Sequence, residues 1–166
     1  MLTTIFPTWP HILFAVIEPL TLIGGWLCPI FDLHGFITGQ VPTSISFSKP
    51  ADDLHIHPTS FALACQLANL YGLLAILGAG VVHATSEPKV LRNYLVALAI
   101  ADIGHIYVTY LAMGWDVFFD VGGWNALTWG NVGVTGFLFV NRLMYFAGAF
   151  GYAQSRMGEG RKKKRG

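Results

Sequence analysis

Apolar residues dominate four stretches of the chain, and polar residues gather between them. The stretches run from about His11 to Ile30, Thr59 to Val82, Asn93 to Met113 and Val132 to Tyr152. Each is close to the roughly 20 residues that a helix needs to cross a bilayer. Apolar side chains recur all round each predicted helix without a wide polar face, as lipid-contacting helices require. The pattern therefore predicts an all-α fold, an integral membrane four-helix bundle over residues 1–155 followed by a tail at 156–166. The first stretch reads as a retained span. It has no basic leader, and Glu18-Pro19 interrupts its apolar run, unlike a cleaved signal.

The connecting stretches differ in charge. Asp32, Asp52 and Asp53 stand against Lys49 between the first two spans, and Asp116 and Asp120 lie between the last two. Lys89 and Arg92 outnumber Glu87 in the short middle turn. Basic residues mark the cytosolic side of a span. This places both termini and the middle turn in the cytosol and the two acidic stretches in the lumen. The segment from Asp32 to Pro58 is rich in Gly, Pro, Ser and Thr and reads as irregular, a candidate lid over the lumenal end.

Composition narrows the class. Of 166 residues, 54% are hydrophobic and only 11% charged. A soluble domain is about a quarter charged, so an ordinary soluble globule is excluded, as is a disordered chain. The net charge of +1 conceals a basic tail. Six of the ten bases lie from Arg156 onward, against Glu159 alone, so the body carries four bases and eight acids. The tail lacks aromatic residues for stacking bases and adjoins an apolar body, which argues against a nucleic-acid partner. Its end, Lys162-Lys163-Lys164-Arg165-Gly166, has lysines third and fourth from the last residue. That spacing resembles the dilysine retrieval signal of endoplasmic-reticulum membrane proteins, whose partner would be retrieval machinery. A positive stop or lipid-surface contact is the alternative. Cys28 and Cys65 sit in apolar runs and suggest neither a disulfide framework nor a zinc site. His55 and His57 read as surface residues, so no metal and no cofactor is expected.

Ionisable groups are costly inside a membrane, so those within the spans carry most of the information. Glu18 lies in the first span, Gln66 and Asn69 in the second, Asp102 and His105 in the third, and Asn141 and Arg142 in the fourth, with Asn131 near its start. The 66/69 and 102/105 pairs are three apart, hence each on one helical face. At about 1.5 Å of rise per residue, these groups fall at similar depths. This predicts a shared polar chamber closed to lipid. Glu18 and Asp102 would share the permanently charged Arg142. One carboxylate pairs with the guanidinium, and the other keeps its proton in the low dielectric. Asp102 is expected to pair and Glu18 to be protonated, with the reverse assignment open. The competing account is that these residues, Gln66, Asn69 and Asn141 especially, simply glue helices together. His105 alone also fits a satisfied buried histidine.

A chamber with apolar walls, reached from lipid and bearing acids, suits a hydrophobic small molecule. The chain has no phosphate-binding glycine loop and no nucleophile elbow. Acid catalysis fits best, with Glu18, Asp102, Arg142 and His105 as the catalytic set. Gln66, Asn69, Tyr107, Trp129, Asn131 and Tyr145 are the candidate substrate-binding residues. For Trp124 and Trp129 an aromatic belt at the membrane interface is the alternative.

Several local runs are familiar together. Glu18-Pro19-Leu20, Gln66-Leu67-Ala68-Asn69-Leu70, Ala101-Asp102-Ile103-Gly104-His105, Trp124-Asn125, Trp129-Gly130-Asn131 and Arg142 resemble a fungal family of small four-pass membrane proteins. Some of its members resemble membrane epoxide hydrolases of polyketide pathways. A more distant similarity is to the membrane terpene cyclases of fungal meroterpenoid pathways, which have more spans. The sterol-isomerase and sigma-2 receptor superfamily shares the four spans and lysine-rich tail, but its acidic motifs have no match here. The resemblance implies epoxide or alkene chemistry in secondary metabolism. A non-catalytic sterol- or lipid-binding protein is the remaining alternative.

Overall fold

The structure is a computed structural model that describes residues 5–42 and 56–151. It is all-helical, with no strand among the described residues. Helix α1 spans Thr8–Phe31, and a short α2 follows at Leu33–Thr38. Helix α3 spans Pro58–Ala84 and α4 spans Pro88–Met113. A short α5 at Trp115–Phe119 leads to the last helix, α6, over residues 126–146. Helices α1, α3 and α4 are long and apolar enough to cross a bilayer. Helix α6 is of similar length but carries Asn131, Asn141 and Arg142. Leu20, Ile30, Leu63, Ile76, Ile100 and Leu111 all face outward. A surface of this kind suits lipid rather than water.

Local chemistry sets the helix ends. Pro58 and Pro88 occupy first-turn positions, where a missing N–H costs nothing. His57 caps α3, its Nδ1 accepting from the Thr59 amide at 3.2 Å. The α3–α4 turn is three residues, and α4 starts five residues before the expected Asn93. Helix α4 ends at Gly114, whose φ of 75° favours glycine. Asn125 caps α6 by accepting from the Thr128 amide at 2.8 Å. The last helix therefore runs six residues earlier than the 132–152 expected from hydropathy. Asn131 and the nearby glycines hid its first turns. The predicted lid is helical at its start, where the Asp32 carboxylate caps α2. The remainder, 43–55, lies outside the described residues, as do Tyr152 and the basic tail.

The long helices pack chiefly as two pairs, α1 with α3 and α4 with α6. Consecutive helices α3 and α4 touch much less. The first pair is close because α3 turns a face of small residues inward, namely Ala64, Ala68, Gly72, Ala75 and Gly78. Trp26 packs where a Cβ on Gly72 would stand, 2.9 Å from the indole, and Tyr71 does the same at Gly25. The main core lies at the end of the bundle holding the N-terminus of α1. Phe6, Leu13, Phe14, Val82, Leu91, Leu95, Leu138 and Tyr145 meet there from all four long helices.

At the other end, side-chain amides tie loops to α6. Asn125 Nδ2 donates to the Gly39 carbonyl at 3.0 Å, and Asn131 Nδ2 to Gln40 Oε1 at 3.1 Å.

Candidate functional site

Two local irregularities position the charged residues. Pro19 cannot donate a backbone hydrogen bond and crowds the preceding turn. Residues Leu13–Ile17 accordingly form a π turn, and the Glu18 amide bonds to the Leu13 carbonyl five residues back. In α6 a second π turn, Trp129–Val134, precedes the regular stretch that carries Arg142. Widened turns of this kind rotate the following residues relative to a uniform helix.

Glu18, Asp102 and Arg142 meet inside the bundle, each from a different long helix. The Arg142 side chain is fully buried (0% exposed), and both carboxylates are nearly so. One terminal guanidinium nitrogen, Nη1, contacts Asp102 Oδ2; the other, Nη2, contacts Glu18 Oε1. Neither pairing is bidentate. Asp102 thus contacts the guanidinium as expected, but so does Glu18, which the expectation leaves unpaired. The Phe14 ring lies under the guanidinium with its centroid 5.3 Å from Cζ, within cation–π range. Glu18 Oε2 and Arg142 Nε are buried without a hydrogen-bond partner among the described residues. Beside the trio, Trp9 Nε1 donates to Asn141 Oδ1 at 2.9 Å, joining α1 to α6. Asn141 is thus a helix tie.

The remaining candidates disperse. Gln66 and Asn69 lie on the exposed face of α3, opposite its small-residue seam, and do not enter a shared chamber. Their spacing gave one face correctly, but that face points outward. His105 is half-buried on α4 and its imidazole makes no hydrogen bond among the described residues. Asn131 is occupied by Gln40. Tyr145 packs edge-on against Phe6 at 5.7 Å, in the apolar core. Trp129 is half-exposed and meets Trp124 edge-on at 5.0 Å.

Tyr107 lies in a different place. It lines an open pocket of about 420 Å³ with Ile103, Ile106, Tyr110, Trp115, Phe118, Phe119 and Phe139. The sequence reading missed most of this wall, although the aromatic run from Tyr107 to Phe119 was its signal. Rings touch throughout it: Tyr110 with Phe118 at 5.3 Å, and Trp115 with Phe119 at 4.4 Å. Ile106 is one turn beyond Asp102 on α4, and Phe139 is one turn before Arg142 on α6. The pocket thus adjoins the level of the trio but contains none of its charged groups. Among the described residues no cluster of His, Cys, Asp and Glu could hold a metal ion.

An all-helical bundle with apolar outward faces and charges turned inward is the class that the fold and site define, compatible with an integral membrane protein. The chain belongs to the DUF7704 family, a domain of unknown function, whose pattern matches residues 3–152. No curated protein and no solved structure matches it.

Proposed function

We propose that this protein is a membrane-embedded enzyme that opens an epoxide on a hydrophobic polyketide or terpenoid by acid catalysis. The observation that carries this reading is the convergence of two carboxyls on one buried guanidinium, beside an aromatic pocket. A permanently charged arginine balances one carboxylate. The other carboxyl can then hold a proton and remain neutral in apolar surroundings. Glu18, with an unpartnered oxygen, is the assigned acid and Asp102 the base.

The reaction follows from those roles. The acid gives its proton to the epoxide oxygen as a carbon–oxygen bond breaks. The base takes a proton from the water that attacks the ring carbon. The product is a vicinal diol. Afterwards the base carboxyl holds a proton and the acid does not, so one proton returns to reset the site. Arg142 fixes both carboxyls and balances their charge throughout. The aromatic pocket would seat the apolar body of the substrate, with Tyr107 and Tyr110 in its wall. The four-span topology with cytosolic termini, residence in the endoplasmic reticulum and a role in fungal secondary metabolism belong to the same proposal. The resemblance and the charge pattern of the loops support them.

A cyclase would use the same acid but an internal alkene or hydroxyl as nucleophile. A non-catalytic sterol- or lipid-binding protein is favoured by one specific observation: none of the trio lines the pocket. Deleting the gene from a producing host and supplying ¹⁸O-labelled water to the complemented strain separates the three. A hydrolase clears an accumulated epoxide and incorporates the label. A cyclase clears it without label. A binding protein leaves the metabolite profile unchanged.

A further inference from the structure

The least explained polar groups in the molecule are the two amides on the outer face of α3. Ala62, Gln66, Asn69, Leu73, Ile76 and Gly80 are spaced alternately by four and three residues, and all are exposed. They lie opposite the seam that packs on α1. That alternation is the spacing by which two helices interlock at a shallow left-handed crossing. Counting from Pro58 at about 1.5 Å per residue, Gln66 lies roughly 12 Å and Asn69 roughly 17 Å along α3. Both are therefore well inside the hydrocarbon if α3 spans the bilayer. Neither side chain has a hydrogen-bond partner among the described residues. An amide facing lipid tails has lost water and gained nothing in return.

We propose that this stripe pairs with the same stripe of a second copy of the chain. The inference rests on the membrane reading and is independent of the catalytic one. A second copy fits for two reasons. Copies of one membrane protein share an orientation, so their α3 helices can run parallel about a twofold axis normal to the bilayer. Every residue of the stripe then meets its own counterpart at the same depth. An amide carries both donors and an acceptor, so it is complementary to itself. Gln66 can pair with Gln66 and Asn69 with Asn69, each satisfying the other. Gly80 and Ala62 at the ends let the backbones approach, while Leu73 and Ile76 interlock between them.

The full chain in lipid membranes provides the test. Both native cysteines are replaced (Cys28→Ala, Cys65→Ala), and single cysteines are introduced by Leu73→Cys or Ile76→Cys on the stripe. Leu63→Cys, exposed but off the stripe, is the control. Mild oxidation should cross-link the stripe variants as dimers and spare the control. Adding Gln66→Leu and Asn69→Leu should weaken association in a lipid-dilution series by roughly tenfold per amide pair. The cysteine scan keeps the proposal decidable if the leucine variants fold poorly. Absence of dimer at every position would overturn it. So would equal cross-linking at Leu63, cross-links only to a different protein, or undiminished association of a folded Gln66→Leu, Asn69→Leu variant.

Discussion

The charged trio and the aromatic pocket lie about one helical turn apart and are built on opposite principles. The trio is filled: Arg142 is fully enclosed, with two carboxylates on its nitrogens and the Phe14 ring beneath it. The pocket is open and lined by isoleucine and aromatic side chains. One region has ionisable chemistry and little room, the other room and little ionisable chemistry. Helices α4 and α6 link them, since Asp102 and Ile106 share one helix and Arg142 and Phe139 the other. The trio is closed inside the bundle, whereas Ile103, Tyr107, Trp115 and Phe119 of the pocket wall are largely exposed. The contrast teaches that buried charge need not mark the cavity itself.

Removing the cation should produce the largest effect. Arg142→Met leaves two carboxylates facing each other in an apolar interior, and loss of one member of a buried charged set costs about 3–5 kcal/mol. Thermal unfolding in detergent should register that loss. Replacing the whole trio (Glu18→Met, Asp102→Leu, Arg142→Met) should recover most of the stability and no activity. Recovery of both would remove the trio from any account of function. The pocket should behave differently. Phe118→Ala removes one aromatic wall and should weaken binding of an apolar ligand by about tenfold, the equivalent of one partly buried ring. The unfolding midpoint should move far less than in Arg142→Met, and a fluorescent sterol or polyene titration checks the binding. The smallest effect is expected where the two regions are merely framed. Asn131→Ala breaks the bond to Gln40 and should cost about 1 kcal/mol of stability. Substrate KM should stay near the wild-type value; a marked rise would return Asn131 to the binding site.

The helices were legible because hydropathy alone marks stretches of this length. So was the trio. Three ionisable residues on three apolar helices have few places to go except toward one another. The facing of α3 was harder. Gln66 and Asn69 are three apart, like Asp102 and His105, and spacing alone cannot say whether a face points in or out. The signal that decides it was present in Ala64, Ala68, Gly72 and Ala75, because small residues mark where a neighbouring helix comes closest. Within the second pair Asp102 is buried and His105 only half-buried, since three residues fall short of a full turn and leave His105 rotated by roughly 60° from Asp102. The start of α6 was misplaced because Gly130 and Asn131 interrupt the apolar run and Trp124 and Trp129 read as membrane-interface residues. The Asn125 cap, three residues before Thr128, was the better landmark. The pocket wall was not legible as a wall. It depends on the turn at Gly114 folding Trp115 and Phe119 back against α4.

The most direct test of the central claim is Asp102→Asn, which keeps the shape of the side chain while removing its capacity to ionise. The variant protein should be extracted from membranes in near wild-type amount. Diol formation should fall by at least a hundredfold, the usual scale for losing a positioned acid–base group. Full restoration of the metabolite profile by the asparagine variant would contradict the account and leave Asp102 as a helix tie.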